Sequence, residues 1–585
     1  MTAACGPPSG GAGDALRAQL DRDWKYWMIE YPELATEVGY PGQNGRWTDY
    51  SDAGVDRRAQ YLKDSLRRLA SIDHGQLAAE DQLTADLYRD LLSTAVAGLD
   101  LQNDALPIRG VVPHNLLMPT NQLEGIQQGV PRTIALMPRA TREDYENIVS
   151  RLRSVAVLVG HTIALMERGA AAGVTPPRIA LRDVPAQLTG QLVDDPLKSP
   201  LLAAFTDVPL SIPEADRVRL NREAVEAYRQ SVAPAFARLR DFIVSRYLPA
   251  CRETTAATSL PNGASLYAYN VRWHTTTTRT PQEIHAIGLA EVRRIRAEMD
   301  AVIAASGFTG SFQEFVAFLR SDPRFYFTDA GALLAAYRDI AKRADPELAR
   351  LFGRLPQTPY GVKPVPDAVA PSQTTAYYDS GSFVAGRPGN MFANTYKLDA
   401  RPKWEMEALT LHEAVPGHHL QISLAQERED LPEFRKHSSV TAFVEGWGLY
   451  AESLGEDMGF YQDPYSKFGQ LTYEMWRAVR LVVDTGLHTM GWSRDQALAV
   501  FRENLAKTEQ DIVVEVDRYI VWPGQALGYK MGGLKLRELR TNAERALGPR
   551  FNIRQFHDVV LGQGAVPLDA LERQVQVWIA QAAKE

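Results

Sequence analysis

The sequence predicts a mainly α-helical protein with one small β-sheet, and three observations predict it. Apolar residues recur at helical spacing through most of the 585 residues. Strand-like runs, β-branched or aromatic and bounded by Gly and Pro, are few and fall between 360 and 396. No fixed-period repeat appears, and no low-complexity tract beyond the first dozen residues.

The elements follow in order. "GDALRAQLDRDWKYWMIEYPELAT", "DRRAQYLKDSLRRLASI" and "EDQLTADLYRDLLSTAVAGL" carry apolar residues three and four apart, as does "REDYENIVSRLRSVAVLVGHTIALMERG". "PEADRVRLNREAVEAYRQSVAPAFARLRDFIVSRYLPAC" predicts one long helix bent near Pro234. "TPQEIHAIGLAEVRRIRAEMDAVIAASG" opens on Thr280 as N-cap, with Pro281 at the first helical position. Segments 404–425, 438–455, 464–490, 493–508 and 511–540 are also helix-like, and strands are expected at 360–366, 373–381 and 390–396. The expected organisation is a tether over 1–12, an N-terminal helical lobe over 13–260 and a catalytic lobe over 261–585, with the boundary near "ETTAATSLPNGAS".

Composition excludes several classes. A net charge of −7 gives no basic footprint for nucleic acid. No run reaches the roughly 18 apolar residues of a membrane span, and "SVAVLVGHTIALM" reads as a buried helix. Cys5 and Cys251 are the only cysteines, so a disulfide framework and a Cys-based metal site are ruled out. Any metal must be held by His, Asp or Glu. "MTAACGPPSGGAGD" places small residues before Cys5 and a Gly/Pro/Ser tether after it, and so resembles a bacterial lipoprotein start. That likeness makes Cys5 a candidate lipid anchor and the cell envelope or periplasm the expected location, with the cytoplasm as the alternative.

The chemistry concentrates in "LTLHEAVPGHHLQ". A zinc peptidase needs three protein ligands and an open position for water, and a carboxylate to take the water proton. The usual His-Glu-x-x-His places two histidines on one helix face. His412 and Glu413 open that pattern, but Pro416 stands where the second histidine belongs. His418 and His419 follow, six and seven residues on. An unbroken helix turns about 600° and about 700° over those distances, which favours His419. Pro416-Gly417 interrupts such a helix. A bulged turn absorbing two residues would instead bring His418 into place. Both remain candidates, with His418 preferred. Downstream, "SSVTAFVEGWGLYAESLG" supplies Glu445 as third ligand, because a carboxylate in so apolar a run needs a partner or a metal. Glu452, on the same face, would orient a ligand histidine from behind, and His419 is expected to serve similarly.

Four blocks together resemble a known family: "RPGNMFANTYKLDARPKWEMEALTLHEAVPGHHLQ", "FVEGWGLYAE", "RLVVDTGLHTMGW" and "VDRYIVWPGQALGYKMGGLKLRELR". The family is a bacterial domain of unknown function whose members carry an HEAxPGHH signature and are regarded as zinc metallopeptidases. The likeness spans about 20 to 575 and is densest from 386 to 540. It implies one zinc per chain on His412, His418 and Glu445, with Glu413 as general base. "GHHLQ" also resembles the GH-x-L-H that closes the motif of helical zinc oligopeptidases. More distantly, the layout is similar to angiotensin-converting-enzyme-type peptidases, which implies two helical lobes around a deep channel that admits short peptides. The two-residue insertion departs from that wider pattern.

The remaining machinery is read from single residues. Tyr519 and Tyr529 are candidate donors to the oxyanion. A carboxypeptidase or dipeptidyl-carboxypeptidase would hold the substrate carboxylate with a cation, and Arg480, Arg518, Lys530 and Arg387 are candidates. Asp484 and His488, four apart on one helix face, form a candidate supporting pair. "GRPGNMFANTY" is expected as an edge strand that adds a peptide strand, with Asn390 and Asn394 contributing side-chain hydrogen bonds. The expected function is zinc-dependent hydrolysis of short peptides. The alternatives are a non-catalytic zinc or peptide-binding protein and a zinc hydrolase of a non-peptide amide or ester.

Overall fold

The structure, a computed structural model, describes residues 11–367, 370, 373–383 and 386–584. Cys5 and most of the expected tether lie outside these residues. The chain packs as two compact units: the described residues up to Arg109 with Pro113–Thr254, and Gly110–Val112 with the chain from Thr255 onward. Both are helical, and the second also holds the one three-stranded sheet among the described residues.

In the first unit, the long helix Arg142–Ala171 sends Tyr145, Ile148, Leu152, Val155, Val159 and Met166 into a core that it shares with the chain from 214 to 250. It is long and apolar enough to cross a membrane, but half of its most apolar window is buried in the unit, so no membrane span is indicated. A capping box closes its start: Thr141 accepts from Asp144 N–H, and the Asp144 carboxylate accepts from Thr141 N–H. The predicted helix over 214–250 is unbroken but not uniform. π-turns at Tyr228–Val232 and Ile243–Tyr247 precede Pro234 and Pro249. Each wider turn accommodates a residue that cannot donate to the helix ladder. Cys251, just beyond, is buried and free.

In the second unit the sheet sits just ahead of the histidine motif. β1 (Tyr360–Pro364), β2 (Ala376–Asp379) and β3 (Gly389–Ala393) lie in the order β1-β3-β2. β3 pairs parallel with β1 and antiparallel with β2. The segment expected at an edge is therefore the central strand, with both backbone edges used, and it cannot add a peptide. Its burial explains the placement, since Met391 and Ala393 are fully buried. β2 packs on the motif helix Met406–Glu413. Three longer helices surround that helix: Thr441–Leu454 and Pro464–Thr489 pack on it directly, and Leu527–Leu547 packs along Thr441–Leu454.

His557 supports this arrangement from behind. Its Nδ1–H donates to Leu351 O at 2.8 Å, and its Nε2 accepts from the Tyr450 hydroxyl at 2.9 Å. Burial pushes the imidazole down to about 3, against the pull of the Leu351 carbonyl. An ordinary histidine titrates near 6.5, so between these values the unfolded chain binds a proton that the folded chain refuses. The stability from neutral His557 is complete above about pH 6.5 and is lost as pH falls toward 3. Thermal midpoints measured from pH 7 to 4 should therefore fall less steeply in His557→Gln than in the wild type. Parallel profiles would show that His557 is not the group responsible.

Candidate metal centre

The motif helix ends at Glu413, and a second helix, His418–Gln426, begins at His418. The insertion is therefore a break between two helices rather than a bulge within one. Val415-Pro416 is a cis peptide. His419 N–H reaches back to Ala414 O at 3.1 Å, a five-residue closure that absorbs the extra length. A β-carbon on Gly417 would lie 1.9 Å from His412 O, so only glycine lets the chain fold back so closely on the first helix. Trp447 Nε1 donates to Pro416 O at 2.8 Å and ties the turn to the Glu445 helix.

This turn brings His412, His418 and Glu445 together, with one donor atom from each within 4.8 Å of the others. His412 Nε2 stands 3.6 Å and His418 Nε2 3.5 Å from Glu445 Oε2. Ligands of a tetrahedral zinc, each about 2.0–2.1 Å from the ion, stand about 3.3–3.4 Å apart, so the spacing suits such an ion. Glu445 Oε2 is buried and has no hydrogen-bond partner among the described residues. The electrostatics also call for a cation. Burial alone would lower the His412 imidazole, but Glu445, Glu452 and Glu413 raise it to about 9. Burial alone would raise Glu445, yet the two imidazoles hold it well below the usual carboxylate range.

His419 turns away from this group. Its Nε2 bonds Thr358 O at 3.1 Å and its Nδ1 the Tyr378 hydroxyl at 2.9 Å. Burial pushes it down to about 4. The expectation that it supports a ligand is corrected: as the residue directly after His418 it points to another side of the helix and fastens the sheet. Glu452 is fully buried, and its Oε1 lies 2.8 Å from His412 Nδ1. Arg477 Nη2 meets the same oxygen at 3.1 Å. Between Glu445 and Glu452, a β-carbon on Gly448 would come within 2.5 Å of the His412 ring, so the helix touches the imidazole only because this residue has no side chain. Glu413 is partly exposed beside the triad. Burial, helped by Glu445, pushes its carboxyl up despite the neighbouring imidazoles.

The tyrosine and arginine candidates separate clearly. Tyr519 donates to Glu515 at 2.6 Å and accepts from Arg480 Nε at 3.0 Å and Trp476 Nε1 at 3.2 Å. One proton and two lone pairs are thus all engaged, which corrects its assignment as oxyanion donor. Tyr529 accepts from Arg518 Nη2 at 2.9 Å, and its own proton has no acceptor among the described residues. Lys530 is buried between Glu291 at 2.8 Å and Glu474 at 2.9 Å, which also pairs with Arg294 and Arg537. A buried ammonium needs such partners, so Lys530 is corrected to a structural cation. The Asn394 amide donates to Ala370, Gln373 and Thr374 carbonyls and serves the sheet, not a substrate. Asn390 is partly exposed on β3, its amide on Pro388 O. Arg387 lies opposite Ser382 in a β-bridge. Asp484 and His488 do not pair. Asp484 accepts from the Tyr267 hydroxyl at 2.6 Å and from Gly524 N–H, while burial raises it to about 7. His488 accepts from Ala257 N–H and donates to Tyr519 O. Each found a partner on another element, so together they hold the backbone near Tyr519 and Gly524 rather than a ligand.

A family model described as "Bacterial protein of unknown function (DUF885)" matches residues 32–575. The chain belongs to that family. Among solved structures, a protein of Colwellia psychrerythraea is 28% identical, with a TM-score of 0.89 over 98% of this chain and all of that one. A Shewanella oneidensis protein is 15% identical, with a TM-score of 0.71 over 97% of this chain and all of that one, a likeness of fold. Both are described as a "putative lipoprotein", the second "of unknown function". No curated protein matches the sequence.

Sequence reasoning passed over Arg477 and Glu515. For Arg477 the signal was present in "WRAVRLVVD", where two arginines three apart sit in the otherwise apolar run 475–483. Substitution separates the adjacent histidines. His418→Ala should lose the bound metal in elemental analysis, whereas His419→Ala should retain it and unfold at lower temperature. Metal retained in His418→Ala would remove the triad as the binding site.

Proposed function

We propose that this protein is a zinc-dependent peptidase acting on short peptides, with His412, His418 and Glu445 as ligands. The observation that carries the reading is the triad's spacing together with Glu413, a base that a purely structural site would not need. Two imidazoles and one carboxylate form a donor set that suits zinc and leaves a position open. Zinc, when bound, would polarise the scissile carbonyl and acidify water at that position.

The chain's own groups would do the rest. The Glu413 carboxylate takes the proton of the attacking water and hands it to the leaving amine nitrogen. Its raised affinity for protons suits a group that must hold one between those two steps. Glu452 fixes the tautomer and tilt of His412 by accepting its Nδ1–H. Tyr529 retains a phenolic proton to donate as negative charge builds on the carbonyl oxygen. Glu413→Gln should keep its zinc while turnover of a mixed short-peptide pool falls by about 10²–10⁴-fold. A mutant as active as the wild type would sink this mechanism.

The same reading extends to location. The lipoprotein description of both solved relatives and the small-residue run before Cys5 support a lipid anchor on Cys5 at the cell envelope. Mass spectrometry of the native product should show acylated Cys5, and Cys5→Ser should move the protein from the membrane to the soluble fraction. An unmodified thiol would end this assignment.

A further inference from the structure

Next to the metal ligand His412, and joined to it through Glu452, lies a cluster of largely buried guanidinium groups. Arg477 and Arg480 are one turn apart on Pro464–Thr489, and Arg518 comes from the helix Glu509–Val521. They surround the Tyr529 ring, with Arg480 Cζ 4.2 Å, Arg518 5.8 Å and Arg477 5.9 Å from its centroid. Two carboxylates answer these three charges. Arg477 has Glu452, which also serves His412. Arg480 and Arg518 share Glu515, at 3.0 and 3.6 Å. The pull is strong: burial would raise Glu515, but the two arginines hold it down to about 2. Nearby charges are already matched, Lys507 by Glu405 and Arg494 by Asp517.

Among direct contacts one positive charge is therefore left over, with Glu413 acting on Arg477 only at longer range. Unanswered charge in a buried site is costly unless a ligand completes it. Donors are left over as well. Arg477 Nε, Arg480 Nη1 and Arg518 Nε are buried without an acceptor among the described residues. Solvent reaches the cluster at Arg518, whose side chain is 17% exposed against 4% for Arg480 and 5% for Arg477. Trp476 and Trp522 are also partly exposed. Glu452 Oε1 joins this cluster to the metal ligand His412 through a single atom.

We propose that this cluster, entered at Arg518, is the subsite for the free C-terminal carboxylate of the substrate, which makes the enzyme a carboxy-end exopeptidase. The inference rests on the peptidase reading above. A carboxylate brings the single negative charge that the cluster lacks and accepts guanidinium donors two at a time. A terminal amide brings neither. An acidic side chain has the same chemistry, so the test must separate it from the chain terminus.

The test uses the full-length zinc-loaded protein and three N-acylated tripeptides: an apolar free acid, its C-terminal amide, and an amide whose last residue is glutamate. Wild type should cleave the free acid with a kcat/KM about 10- to 150-fold above either amide, the span of one charged hydrogen bond. Arg518→Gln should raise KM for the free acid by a similar factor; because Arg518 also holds the Tyr529 hydroxyl, any fall in kcat should be common to acid and amides, so that the preference for the free acid drops toward one. Arg518→Lys should recover part of that loss, which a merely structural role would not predict. Equal cleavage of acid and plain amide by wild type would overturn the subsite and leave the peptidase reading standing. Cleavage of the glutamyl amide as fast as the free acid would overturn the assignment to the chain terminus. Cleavage of none would remove the peptidase reading and the subsite together.

Discussion

The fully buried carboxylate of Glu452 is the constraint on which the rest of the site depends. A carboxylate removed from water must be answered by donors, and here one oxygen serves both His412 Nδ1 and Arg477 Nη2. Three helices are joined at that atom: the motif helix, the Glu445 helix and the helix of buried arginines. The same side chain fixes the ligand face of one imidazole and neutralises the first arginine of the neighbouring cluster. Moving any of the three helices would leave a buried charge unmet.

Around this point the chain alternates charge in layers. Glu445 and Glu413 stand on the metal side of His412, Glu452 behind it, then Arg477, Arg480 and Arg518, then Glu515. The two imidazoles hold Glu445 low, Arg480 and Arg518 hold Glu515 low, and Glu445 with Glu452 holds His412 high. Glycine makes the close approaches possible. Gly417 lets the chain return onto His412 O, and Gly448 lets a helix lie against the His412 ring.

Much of the fold was legible because helical periodicity and strand punctuation are local. β1 and β2 fall within the segments that their β-branched and aromatic residues mark, β3 starts one residue ahead of its segment, and the helix capped by Thr280 starts as written. Strand order was not legible. Nothing within "NMFANTY" distinguishes a central strand from an edge, since the difference lies in what pairs on either side. The π-turns before Pro234 and Pro249 show the intermediate case, where proline announces a disturbance but not its form.

The sequence by itself determined which residue types could hold a metal: with two cysteines far apart, only histidine and carboxylate remained, and they gathered at 412–419 and 445–452. Tertiary structure alone decided between His418 and His419, because both neighbours carry the same chemistry and only the fold of residues 414–417 sets which one faces Glu445. It also decided that Tyr519, Lys530 and Asn394 are structural, since a side chain's role depends on whether its donors and acceptors are already met. Apart from Glu515, four residues before Tyr519, those partners come from other elements up to 239 residues away, which no local pattern encodes.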